Sequence, residues 1–208
     1  MHRNKNIILD IDNTLIYSRN GSGYKKLNIY ENPKNYDVQT RIFKLKVSNE
    51  SMWSIKRPSI DKFFEYCFDN FSKVIIWTAG TKLYAQAVVE HLFRDHEKPY
   101  YILSRDDCEI NKEDDPGILQ KPISKITDNI DSTVNISNSF IVDDRNLVFE
   151  YCNPENGIII PYYAPEINRN DIMKHEDSFD RLINFFESSK FRRCYDVRDC
   201  NLKNILNY

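Results

Sequence analysis

Two acids separated by one residue close an apolar run near the start of the chain: Asp10 and Asp12 in "NIILDIDNTLIYS", followed by Thr14. Alternate residues of a strand face the same side, so both carboxylates can address one point while Ile11 packs the other way. A second acidic pair, Asp143 and Asp144, ends the apolar run "SFIVDD". Like charges about 4 Å apart repel by roughly 4 kcal/mol at an effective dielectric of 20, so converging pairs of this kind call for a cation. The donors are all oxygens, with no His or Cys in these stretches, which favours Mg²⁺ over zinc or copper. Thr78 at the end of "KVIIWT" adds a hydroxyl, and Lys121 in "LQKPISKI" adds a compact positive charge. Hydroxyls, a lysine and Mg²⁺ suit a phosphoryl group. One aspartate able to attack phosphorus, beside a second able to protonate the leaving oxygen, gives a two-step transfer through an aspartyl-phosphate.

Positioning these groups requires strands that deliver them to one edge. Residues 6–12 read as a central parallel strand buried on both faces, and further strands are expected at 73–78, 100–104, 139–144 and 157–161. Ile60, Phe63, Phe64, Cys67, Phe68 and Phe71 recur at helical spacing after Pro58, with Ser59 as the expected cap. A second helix starts at Thr81, and a third centres on Phe179, Leu182, Ile183 and Phe186. The segment 37–47 suggests a small hairpin, with 51–58 as a further extended piece; "SRNGSGYKKL" and the acidic "DDCEINKEDDPG" read as loops. Strands alternating with helices predict an α/β fold with a Rossmann-like parallel sheet, and ligands of such sheets bind at the carboxyl ends of the strands, where all the acids fall.

Taken together, DxDxT (Asp10, Asp12, Thr14), the strand-end Thr78, Lys121 and the pair Asp143–Asp144 resemble the four ordered motifs of haloacid-dehalogenase superfamily phosphatases. "KRPSIDKFFEYC", "VIIWTAGTKLYAQAVVEHL", "SRDDCEI", "KPISKI" and "NPENGIIIP" narrow the resemblance to the small RNA polymerase II C-terminal-domain phosphatase family, over about residues 6–188. The resemblance implies Asp10 as nucleophile, Asp12 as general acid and later base, and Thr14, Thr78 and Lys121 as phosphate ligands. It implies Mg²⁺ held by Asp10, the backbone carbonyl of Asp12 and Asp144, with Asp143 in support. Tyr84 and Arg105 fall where related phosphatases contact their peptide, although helix packing and a surface ion pair account for them equally well. Three features depart from the pattern: Asn13 replaces the usual Glu, Arg145 and Asn146 replace a small residue and Pro, and the span before Asp143 is lengthened. Lys125 is the weaker alternative to Lys121.

A chain of 208 residues with 41% hydrophobic content suits a single domain, here with a β-rich insertion at 15–57 and a tail at 189–208 outside the resemblance. The insertion is too small for a large cap, so the site should be open to a phosphoserine or phosphothreonine in an extended peptide. A net charge of −2 argues against a global attraction to nucleic acid, and with it against the alternative of a polynucleotide 3′-phosphatase. Intact Asp10, Asp12, Lys121 and Asp144 argue against a non-catalytic phosphopeptide-binding scaffold. The five cysteines, odd in number and without a CxxC pair, indicate neither a disulfide framework nor zinc. With no membrane-length apolar run and no signal-peptide pattern, the expectation is an intracellular, cytoplasmic or nuclear protein of undefined oligomeric state.

Overall fold

The computed structural model describes residues 2–20, 36–110 and 117–206. In chain order the strands are β1 (His2–Leu9), β2 (Ile16–Asn20), β3 (Ile42–Val47), β4 (Glu50–Lys56), β5 (Phe71–Trp77), β6 (Tyr101–Leu103), β7 (Glu109–Ile110), β8 (Leu119–Gln120), β9 (Ser139–Asp143) and β10 (Gly157–Ile159). The helices are α1 (Tyr36–Gln39), α2 (Ile60–Asn70), α3 (Lys82–Leu92), α4 (Ile123–Asn129), α5 (Arg169–Ile172), α6 (Ser178–Glu187) and α7 (Ser189–Arg193).

Five parallel strands form the central sheet in the order β10-β9-β1-β5-β6. From β1 the chain moves outward through β5 to β6, then returns to place β9 on the other side of β1. That reversal between β1 and β9 opens a crevice at their carboxyl ends, where Asp10 and Asp143 emerge. The sheet is apolar on both faces because its strands are covered on both. Ile7, Leu9, Val74 and Ile76 join Phe63, Phe64, Val88 and Phe179 in one core, with α2, α3 and α6 laid over it. The alternate residues Ile8, Ile75, Trp77 and Ile141 meet Ile123, Ile126 and Phe149 on the opposite face. This is the parallel α/β sheet expected from the sequence, without a large cap among the described residues.

Several boundaries differ from the sequence expectations. Strand β1 stops at Leu9, and Asn13 then adopts φ 63, a left-handed turn that Asn tolerates and that sends the chain away from the sheet. The hairpin lies at β3–β4 rather than at 37–47, whose first residues form the single turn α1; β2 pairs with the far side of β4, giving a three-stranded antiparallel sheet. Ser18, Arg19 and Asn20, expected in a loop, belong to β2, whereas residues 21–27 of that loop and residues 111–116 of the acidic stretch lie outside the described residues. Thr81 caps α3 by accepting from the Tyr84 N–H, whereas Ser59 sits at φ 60 and makes no side-chain cap bond to α2. Helix α4 was not expected, its seven residues with only Ile123 and Ile126 buried being too short for a periodic signal.

The segment after α6 packs back on the first core through Phe191, Val197, Cys200, Leu202 and Leu206. Its turn brings Cys194 and Cys200 together as a disulfide, against the expectation that the cysteines stay unpaired; a spacing of six residues carries no recognisable signature until the turn at Val197–Cys200 closes it. Cys67, Cys108 and Cys152 are free. Among the described residues no helix is long and apolar enough to cross a membrane.

Candidate active site

Asp10 follows β1 directly, and its N–H still donates to the Val142 carbonyl of β9 at 3.0 Å, which holds it against the neighbouring strand. Asp143 ends β9, and Asp144 and Arg145 follow it. Between them Lys121 places its ammonium 2.6 Å from Asp10 Oδ1 and 2.6 Å from Asp143 Oδ2. Lys121 reaches this point because the two-stranded β7–β8 pair ends just before it and its N–H donates to the Val148 carbonyl at 2.7 Å. Lys125, by contrast, turns its ammonium to the Cys108 carbonyl at 3.5 Å, so of the two lysines it is Lys121 whose ammonium lies against Asp10 and Asp143.

Asp12 is built differently. Its Oδ1 accepts from the Tyr84 hydroxyl at 2.6 Å and its Oδ2 from the Thr78 hydroxyl at 3.2 Å, while Thr78 in turn accepts from the Gly80 N–H at 2.9 Å. Gly80 is needed for this arrangement: a Cβ there would lie 2.6 Å from the Tyr84 ring and 3.2 Å from the Thr78 hydroxyl. Thr14, fully buried, accepts from the Asp144 N–H at 3.1 Å and donates to Asp144 Oδ1 at 3.4 Å, so its hydroxyl is engaged in orienting that carboxylate. Arg105 is exposed and spends its Nε–H on the Ala79 carbonyl at 2.8 Å.

A cavity of about 260 Å³ opens over these groups, lined by Asp10, Asp12, Lys121, Asp143 and Asp144, and at its rim by Asn13, Ala79, Arg145, Val148 and Tyr162. Arg145, a departure from the family pattern expected at the site entrance, lies at this rim; Tyr162 was not expected there, since its position one residue beyond "GIIIP" signals no cavity. Carboxylate oxygens of Asp10, Asp143 and Asp144 come within 4.8 Å of one another. The convergence is therefore of three carboxylates, with Asp143 inside the cluster and the Asp12 side chain directed to Tyr84 and Thr78.

The electrostatics follow from burial. Desolvation, then repulsion from Asp143, pushes the Asp10 carboxyl well above the ordinary range against the pull of Lys121. Burial also raises Asp12, opposed by the hydrogen bonds from Tyr84 and Thr78. Burial and the Asp143 charge lift Asp144 to about 6. For Lys121 burial alone would lower the pKa, but Asp10 and Asp143 outweigh it and hold the ammonium charged. A buried cluster of oxygens with one ammonium among several acids fits a hard divalent cation such as Mg²⁺, which takes carboxylate and carbonyl oxygens.

Comparison with known proteins finds a family and a fold. The family model described as NLI interacting factor-like phosphatase matches residues 5–198. The CTD phosphatase-like protein 355R of invertebrate iridescent virus 3 is 29% identical over 180 residues, covering 82% of this chain and 91% of that protein. The protein of the same description from invertebrate iridescent virus 6 is 25% identical over 194 residues, covering 86% of this chain and 100% of its own. Among solved structures, the fission yeast RNA polymerase II CTD phosphatase Fcp1 superposes with a TM-score of 0.56 at 21% identity, over 88% of this chain and 49% of the other. A structure of Fcp1, described as an essential RNA polymerase II CTD phosphatase, gives a TM-score of 0.59 at 18% identity over 100% of this chain and 59% of the other. These structural likenesses are of fold, and the chain spans only about half to three-fifths of the solved Fcp1 chains.

Proposed function

Because this chain belongs to the NLI interacting factor-like phosphatase family, we propose that it is a Mg²⁺-dependent phosphoserine/phosphothreonine protein phosphatase acting through an aspartyl-phosphate on Asp10. The substrate class we assign is an extended phosphopeptide of the RNA polymerase II C-terminal-domain type, in line with the names of its relatives. The observation that carries the reading is one cavity in which Asp10, held by Lys121, lies beside Asp12, held by Tyr84 and Thr78.

In the first step an Asp10 carboxylate oxygen attacks phosphorus, the bond from phosphorus to the ester oxygen breaks, and its electron pair leaves with that oxygen. Asp12 delivers a proton to it, which burial favours by keeping that carboxyl protonated to higher pH than usual. In the second step water attacks the acyl phosphate, Asp12 takes its proton, and Asp10 is released as a carboxylate. Lys121 would bind the phosphoryl oxygens, being already charged and desolvated where negative charge accumulates, while Thr14 and Thr78, whose hydroxyls are engaged with Asp144 and Asp12, would orient those carboxyls. Asp10, Asp144 and the backbone carbonyl of Asp12 would hold Mg²⁺, with Asp143 in reach of the same point. The cation would supply charge neutralisation for the incoming phosphate.

The test is release of phosphate from phosphorylated heptad peptides, unrelated phosphopeptides and 3′-phosphorylated oligonucleotides, with Mg²⁺ and with chelator. Metal-dependent turnover of the peptides, lost in Asp10→Asn, is expected; turnover confined to the oligonucleotides would replace the protein-phosphatase reading.

A further inference from the structure

A line of hydroxyl groups links the Asp12 carboxyl to the insertion sheet, beside the backbone bridge between Asp12 and Ile16. Strands β2 and β4 are antiparallel, and their register sets Ser18 directly opposite Ser54. The two hydroxyls lie 2.8 Å apart, and Ser18 Oγ is 3.2 Å from the Tyr84 hydroxyl, which is 2.6 Å from Asp12 Oδ1. Ser54 is fully buried and Tyr84 nearly so, while Ser18 and Asp12 are partly exposed, and this line of four groups crosses from the insertion to the catalytic edge. Its polarity is fixed at one end. As a carboxylate Asp12 can only accept, and as the acid it needs its one proton for the leaving oxygen, so Tyr84 donates to Asp12, Tyr84 accepts from Ser18, and Ser18 accepts from Ser54. Each hydroxyl that donates forward strengthens the donor ahead of it. With Thr78 on Oδ2, both Asp12 oxygens are bound, which fixes the plane of the carboxyl relative to the cavity.

We propose that Ser54, Ser18 and Tyr84 form a positioning relay for the Asp12 general acid, so that the insertion sheet acts on the chemical step. This rests on the phosphatase reading above and goes beyond it. Tyr84 then acts through Asp12 rather than through peptide contact. The relay matters when the leaving oxygen is basic and needs its proton in the transition state. It matters little when the leaving oxygen departs as a stable anion.

Two aryl esters of nearly equal size separate these cases, because phenoxide needs protonation far more than 4-nitrophenoxide does. In Tyr84→Phe, kcat/KM for phenyl phosphate should fall on the order of tenfold or more, while that for 4-nitrophenyl phosphate falls by no more than about twofold. Ser18→Ala should show the same asymmetry in smaller measure. Combining the two should cost less than the sum of the single effects, since removing the Tyr84 hydroxyl already disconnects Ser18 from Asp12. Equal losses on the two esters in an active parent would overturn the relay and leave the phosphatase reading standing, as would additive effects of Ser18→Ala and Tyr84→Phe. An inactive parent with Mg²⁺ on both esters would overturn the phosphatase reading and the relay with it.

Discussion

Lys121 is the residue on which the acids of the cavity depend. Its ammonium sits 2.6 Å from Asp10 and 2.6 Å from Asp143, with all three side chains buried. Removing one member of such a cluster strands the others as uncompensated buried charges, and losses of about 3–5 kcal/mol are typical. Lys121→Met should therefore lower the metal-free unfolding free energy by about that amount in urea titration, and reduce turnover by at least about 100-fold. Lys125→Met, which removes only a 3.5 Å contact to the Cys108 carbonyl, should change either by little. A reversal of these two outcomes would move the phosphate-binding lysine to position 125. Asn13 makes a related point. Its left-handed φ of 63 and its Nδ2 bond to the Tyr163 carbonyl give a reason for Asn where the resemblance leads one to expect Glu. A longer β-carbon chain gains nothing in that conformation, whereas Asn is enriched there.

At the scale of elements, the turn between β5 and α3 holds Asp12 from one side. Gly80 leaves room for the Tyr84 ring and donates to Thr78, so Gly80→Ala forces one of these two away from Asp12. We expect circular dichroism close to the parent and a fall in kcat on phenyl phosphate of about tenfold, with KM nearly constant. A changed KM at unchanged kcat would place the effect on substrate binding instead. How much of this was legible in the sequence differs by element. The ends of β1, β5 and β9 could be read because long apolar runs ending in polar groups mark buried parallel strands, and the order of their acids, hydroxyl and lysine did the rest. The Ser18–Ser54–Tyr84 line could not, because it exists only once β2 and β4 find their antiparallel register across an intervening stretch of chain. The hairpin was displaced for a similar reason: "DVQTRIFKLKV" joins a helical turn to a strand, and alternation was counted through both. The Cys194–Cys200 pair was invisible because its closure depends on a short turn within a tail of mixed polarity.

For the molecule as a whole, the catalytic edge is a charge defect that the fold carries in exchange for function, and pH and metal should therefore act on stability together. Asp144 is lifted to about 6 and Asp10 and Asp12 are raised as well. A carboxyl whose folded pKa lies above its unfolded value binds more protons when folded, so its favourable contribution is present at low pH and is lost as pH rises through the folded pKa. The metal-free protein should accordingly lose stability between about pH 4 and pH 6 from this cluster. A divalent cation bound to Asp10 and Asp144 needs these oxygens deprotonated, so its affinity should rise over the same window. At pH 7.5 and about 100-fold over its dissociation constant, Mg²⁺ should add about 2.7 kcal/mol, or about 5–10 °C in Tm for a chain of this length. At pH 5, protons compete at Asp144 and the same Mg²⁺ concentration should shift Tm by much less. Ca²⁺, with the same charge and a larger radius, tests whether the effect is charge alone: equal shifts by both ions would mean simple neutralisation, and a larger shift by Mg²⁺ a site fitted to the smaller ion. Asp144→Asn should flatten the pH dependence of the metal shift, because the group that titrates near 6 is then absent, and an unchanged dependence would assign that titration to another acid of the cluster.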